Sequence, residues 1–139
     1  MDVRCMIARM NTNTSRPLSP HLQVYRLPMT ALMSISHRIT GAILSGGMLL
    51  IAALLVTAAL NVQWFDMVMT FARGPIGTII LLGWAASLYY HTLNGIRHMI
   101  WDMNPDAITQ TKAEMSGWLI IAATIAMTAG TWYLATQGV

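Results

Sequence analysis

Charge is what this sequence has least of. Of its 139 residues only 9% are charged, while 55% are hydrophobic. A water-soluble domain carries about 25% charged residues, so the composition excludes an ordinary soluble globule and points to a chain solvated by lipid. Cysteine is nearly absent too. Cys5 is the single one, which excludes an internal disulfide and a cysteine-built metal cage. Acidic groups are missing where proton-coupled transport would need them, because residues 41–60, 75–96 and 115–136 contain no Asp or Glu. The modest basic excess lies mostly in Arg4, Arg9, Arg16 and Arg26 near the start. It bears on membrane orientation rather than on nucleic acid, for which no binding is expected.

Present instead are those same three charge-free runs, each long enough to cross roughly 30 Å of hydrocarbon at about 1.5 Å per residue. The predicted organisation is an N-terminal arm over residues 1–28 and a three-helix membrane-anchor domain over 29–139. Its spans fall at about residues 30–60, 75–97 and 115–136. The first apolar run starts late and is too long for the core of a cleaved signal peptide. Four arginines precede the first span, the first loop offers Arg73 against Asp66, and the second loop carries Arg97 and Lys112. The positive-inside rule then puts the N-terminus and the second loop on the cytoplasmic (or matrix) side and the C-terminus opposite. The fold class is an all-α membrane protein with three transmembrane helices.

Several local patterns refine this outline. Pro28 suits the start of a helix, where its missing N–H would be unpaired in any case. On the first helix, Ser34, Arg38, Gly41, Ser45 and Met48 recur at spacings of four and three, with His37 beside Arg38. Such a polar and small stripe faces protein or a ligand rather than acyl chains. The first loop, with Trp64, Phe65 and Phe71, reads as an interfacial aromatic belt. In the third span Ala122, Ala126 and Gly130 read as a helix-packing seam.

The stretch 87–102 carries the chemistry. His91, Gly95, His98 and Asp102 lie four, three and four residues apart, which places them on one helix face. An ionisable residue within a span is costly and marks a functional site by default. For His91 the alternatives are a partner side chain, a proton path or a metal. Neutral imidazole is a good axial ligand for haem iron, and Arg38, Arg97, His37 and His98 near the same face would suit propionates. His91 precedes Arg97 by six residues, about 9 Å deeper at helical rise. His21, His37 and His98 are all shallower, so a second axial histidine at the depth of His91 would have to come from another subunit.

Two patterns carry a resemblance that spans nearly the whole chain. Arg16-Pro17-Leu18 is followed by Ser34-x-x-His37-Arg38-x-Thr40, and His91-x-x-x-Gly95-Ile96-Arg97-His98-Met99-x-Trp101-Asp102 comes later. Together they resemble the cytochrome b membrane-anchor (C) subunit of succinate dehydrogenase, respiratory complex II. Asn104 departs from the small residue expected there and puts the local turn in doubt. The resemblance implies that His91 is an axial ligand of haem b, with the second ligand a histidine of a companion small anchor subunit. It implies that His37 and Arg38 contact the haem propionates, and that Ser34 and Arg38 line a ubiquinone site where the iron–sulfur subunit docks. Gly95, Arg97, His98 and Asp102 match motif positions without an assigned role. The implied partners are that second anchor subunit, the iron–sulfur and flavoprotein subunits, and the lipid bilayer of a bacterial inner membrane or, alternatively, a mitochondrial one. Such a chain has no succinate site of its own. The rival readings are a small proton-coupled transporter or assembly subunit, and a purely structural anchor without haem.

Overall fold

The computed structural model describes residues 27–105 and 108–138. The arm, including Cys5, His21, the Arg16-Pro17-Leu18 stretch and the arginines up to Arg26, lies outside the described residues. Four helices follow one another: α1 (Met29–Leu60), α2 (Val62–Arg73), α3 (Pro75–Met103) and α4 (Gln110–Gln137). α1, α3 and α4 are each long and apolar enough to span a bilayer. Their boundaries follow from local chemistry. Pro28 precedes α1 and Pro75 occupies the first turn of α3, positions where proline removes no helical bond. Thr109 caps α4, its hydroxyl accepting from the Lys112 N–H at 3.3 Å.

The first loop is not a loop. Residues 62–73 form a 12-residue helix whose N-terminus is capped by the Asn61 side chain, which accepts from the Trp64 N–H at 3.2 Å. Trp64 and Phe71 remain exposed on it, as an interfacial element requires. α3 also runs on to Met103, farther than the hydrophobic run. Asn104 closes it with φ −144°, its N–H donating to the Ile100 and Trp101 carbonyls. Its φ is negative, so the turn does not call for glycine.

α1 and α3 run antiparallel: Met33 meets Asn94 and Arg97, Gly41 meets His91, and Gly47 meets Trp84. α3 and α4 are antiparallel as well, with Arg97 against Ala113 and Ser116 and Tyr89 against Thr131. The start of α1, the end of α3 and the start of α4 therefore share one end of the bundle. The polarity is that of a protein in lipid. Asn94 is 0% and Arg97 6% exposed, whereas Leu49, Leu60 and Leu134 are 70% exposed or more.

The seams differ in register from the stripes read in the sequence. α1 meets α3 through Met33, His37, Thr40 and Gly47, while Arg38, Ser45 and Met48 stay exposed beside that face. On α4 the buried seam is Ala113, Gly117 and Ile120. Ala122 and Ala126 are exposed, and a Cβ at Gly130 would meet open space. Small residues identify faces that tolerate close approach; which one is used depends on what the neighbouring helix offers, here Arg97 and Met33. At Gly77 a Cβ would run into the Phe71 carbonyl and the Ala72 backbone, whereas at Gly83 it would meet nothing. Gly77→Ala is expected to destabilise the protein by about 1–3 kcal/mol, the usual cost of overpacking, and Gly83→Ala to leave it unchanged. Thermal denaturation in detergent checks the contrast.

Candidate functional site

His91 sits on α3 where its ring lies over the backbone of α1. A Cβ at Gly41 would come within 3.0 Å of His91 Cε1, so glycine at that position makes room for the imidazole. The ring stacks on that of His37, with centroids 4.0 Å apart and planes 7° from parallel. His91 Nδ1 is 3.1 Å from the His37 carbonyl oxygen and 3.3 Å from Thr40 Oγ1. The Thr40 hydroxyl has carbonyls of its own to donate to, Ser36 at 3.0 Å and His37 at 2.9 Å. Both neighbours of His91 Nδ1 therefore act as acceptors, and that nitrogen carries the proton. A neutral imidazole protonated at Nδ1 leaves a lone pair on Nε2. Nε2 has no hydrogen-bond partner among the described residues. This is the arrangement in which histidine ligates a metal, one ring nitrogen oriented by a carbonyl and the other free.

The rings continue toward the end of the bundle. His37 is 5.6 Å from His98, and His98 is 5.9 Å from Trp101 in an edge-on contact. His37 Nδ1 is buried without a hydrogen-bond partner. A Cβ at Gly95 would lie 3.8 Å from His37 Cε1. Gly95 thus lies beside the column without crowding it. Ser34 is half-buried, and Arg38 and Asp102 are exposed at the same end. Among the described residues, no three His, Cys, Asp or Glu side chains converge as a metal cage.

Arg97 is not at the mouth. Its Nε donates to Ser116 Oγ at 2.9 Å, Nη2 to the Ala113 carbonyl at 2.7 Å, and Nη1 to Asn94 Oδ1 at 3.2 Å and Met33 Sδ at 3.5 Å. Its Cζ lies 3.8 Å from the centre of the Trp101 ring. With the side chain committed inward, Arg97 is withdrawn from the surface role that depth alone suggested. Sequence reasoning missed the groups that receive it. It also missed Tyr90, whose hydroxyl donates to the Met33 carbonyl at 3.2 Å and lies 2.6 Å from Ser36 Oγ. The available signal was polarity: Ser36, Tyr90, Asn94 and Ser116 are hydrogen-bonding groups within or beside apolar helices, and such groups seek one another.

These features define a helical membrane protein with a column of histidines at one end of its bundle. Residues 12–131 match the family model described as "Succinate dehydrogenase/Fumarate reductase transmembrane subunit". The chain is 41% identical over 113 residues to the succinate dehydrogenase cytochrome b556 subunit of Paracoccus denitrificans, covering 81% of this chain and 86% of that protein. It is 37% identical over 125 residues to the mitochondrial cytochrome b560 subunit of Sus scrofa, covering 86% and 72% respectively. Similarity to the b556 subunit of Rickettsia felis is 31% over 117 residues, with 84% and 90% covered. The chain belongs to the succinate dehydrogenase/fumarate reductase transmembrane subunit family.

The hydrogen bonds around His91 make a direct prediction. In the metal-free protein in detergent, nitrogen-15 NMR of labelled histidine is expected to show His91 protonated at Nδ1 and bare at Nε2. Thr40→Val should increase ring mobility without reversing the tautomer, because the His37 carbonyl remains as acceptor. A proton on Nε2 in the unsubstituted protein would contradict the assignment.

Proposed function

We propose that this chain is the haem b-binding membrane-anchor subunit of a succinate:ubiquinone oxidoreductase. In that role it holds the flavoprotein and iron–sulfur subunits at the membrane and forms part of the ubiquinone-reduction site. One observation carries the reading: an imidazole inside a membrane helix, oriented through Nδ1 by the His37 carbonyl and open at Nε2. Family membership and the cytochrome b556 and b560 names of the relatives support it. The residues present fit the group. His91 offers an open nitrogen, Gly41 and Gly95 leave the ring column uncrowded, and the unpartnered His37 Nδ1 is a polar atom that a propionate would satisfy. When bound, haem b supplies a one-electron couple in the membrane.

Within this reading each residue has a physical task. His91 would hold the haem iron through Nε2, and a histidine of a second small anchor subunit would complete the site. His37 and Arg38 face the propionates, for which a guanidinium is the suitable partner. Ser34 donates a hydrogen bond to a ubiquinone carbonyl, and Arg38 links the quinone pocket with a propionate. Quinone reduction adds two electrons and two protons, so a hydroxyl and a cation near the carbonyl oxygens favour the reduced forms. The iron–sulfur subunit docks at the end of the bundle that holds Ser34 and Arg38. The positive-inside rule puts that end on the cytoplasmic side of a bacterial inner membrane, in keeping with the Paracoccus relative. His98 and Asp102 complete the motif at that end. The chain itself contributes no succinate site.

The deciding measurement is a reduced-minus-oxidised absorption spectrum of the assembled complex. A b-type band that His91→Ala alters or abolishes is the expected result. Its absence from the unsubstituted complex would leave a structural anchor without haem. Arg38→Ala is expected to lower quinone reduction, haem content or both, by roughly tenfold if it removes one charge-assisted hydrogen bond of about 1.5–3 kcal/mol. No change in either would remove Arg38 from the site.

A further inference from the structure

Among the described residues, Arg97 is a cation whose hydrogen bonds include no carboxylate. It is 6% exposed, and its hydrogen bonds all go to neutral groups: the Asn94 amide, the Ser116 hydroxyl, the Ala113 carbonyl and the Met33 thioether. Among the described residues no carboxylate pairs with it. Buried charges are ordinarily paired, because taking one out of water is costly. A neutral donor would tie α1, α3 and α4 together without that cost. The charge itself therefore calls for a purpose, and the surrounding geometry indicates one. From Arg97 the contacts run through Trp101, His98 and His37 to His91, ring against ring. The rings on this path are half-buried, so the field of the guanidinium reaches the histidine through a medium intermediate between water and a dry interior.

We propose that Arg97 supplies the fixed positive charge against which an electron is held at the His91 site. The inference rests on the haem reading given above. When the site accepts one electron from a one-electron donor such as an iron–sulfur centre, its net charge falls by one, and no bond is made or broken. A nearby cation favours that reduced state. Arg97 and His91 are separated by about 9 Å of helical rise. At an effective dielectric constant of about 20, a unit charge about 10 Å away biases such an equilibrium by on the order of tenfold. Arg97 thus acts through its field and touches neither quinone nor haem.

The test is an optical redox titration of the b-type band in the assembled complex. Asn94→Asp sets a carboxylate at the position of the Oδ1 that already accepts from Arg97 Nη1, neutralising the charge while keeping the guanidinium in place. It is expected to shift the reduction equilibrium toward the oxidised form on the order of tenfold, about 59 mV for a one-electron couple. Arg97→Gln should shift it in the same sense, and Arg97→Lys, which keeps the charge, by less than about threefold. An unshifted potential in Asn94→Asp overturns the proposal, as does loss of haem from that variant, since a role exerted through the field leaves the fold intact. An equal shift in Arg97→Lys and Arg97→Gln also overturns it, by showing that shape rather than charge matters. If Arg97→Gln sheds the haem, Asn94→Asp decides alone. Absence of any b-type band in the unsubstituted complex would instead defeat the haem reading on which the inference rests.

Discussion

The hydrogen bond from His91 Nδ1 to the carbonyl of His37 is the constraint around which the site is arranged. It joins the two helices that carry the family patterns and selects one tautomer. It also requires a close approach, which is why glycine stands at position 41, beneath the ring. A larger residue there would lift the imidazole from the α1 backbone and loosen both the stacking and the hydrogen bond. Thr40 adds a second acceptor without taking the proton, because its own hydroxyl is directed to carbonyls one turn back. Three residues of α1, His37 and Thr40 of the motif and the neighbouring Gly41, thus act on one side chain of another helix.

The bundle is held together by polar contacts inside an apolar envelope. Lipid gives helices little hydrophobic reason to associate, so packing of small residues and interhelical hydrogen bonds must do it. Here Met33, Asn94, Arg97 and Ser116 make one junction of α1, α3 and α4, and the Tyr90 hydroxyl extends it by reaching Met33 and Ser36. Gly117 lets Met33 approach α4, since a Cβ there would meet the Met33 sulfur at 2.6 Å. This junction lies at the end of the bundle that contains the histidine column, so the interhelical polar contacts and the site share one end.

The spans were legible because they depend on length and the absence of charge, properties that no neighbour can change. His91 was legible for the same reason: a histidine in hydrocarbon stands out whatever surrounds it. What could not be read was direction. Arg97 and Arg38 look alike in sequence, both arginines preceded or followed by histidine near one membrane face. Yet Arg38 is exposed and Arg97 buried. The difference arises on α4, where the Ala113 carbonyl and the Ser116 hydroxyl await a donor. Nothing within the motif encodes that. The helix α2 was missed because its aromatics mimic a belt, and the cap at Asn61, a single side chain, distinguishes a helix from a loop. The stripes failed by register, as Ala122, Ala126 and Gly130 are as small as the seam that is used.

Among the described residues, a histidine with one open nitrogen and a buried cation hydrogen-bonded only to neutral groups are incomplete in complementary ways. The described residues provide the imidazole that can donate an electron pair and the guanidinium that can offset negative charge. No cage of three or more ligating side chains forms among them, and none of the hydrogen bonds of Arg97 goes to a carboxylate. A structural anchor would need neither feature, because apolar and neutral residues could pack the same helices without removing a charge from water. A proton relay would need titratable groups deeper in the spans, where the apolar runs carry no acidic residue. An electron-carrying cofactor shared with another chain needs both features together: a ligand that fixes its position, and a positive field that makes the added electron tolerable in a medium of low dielectric.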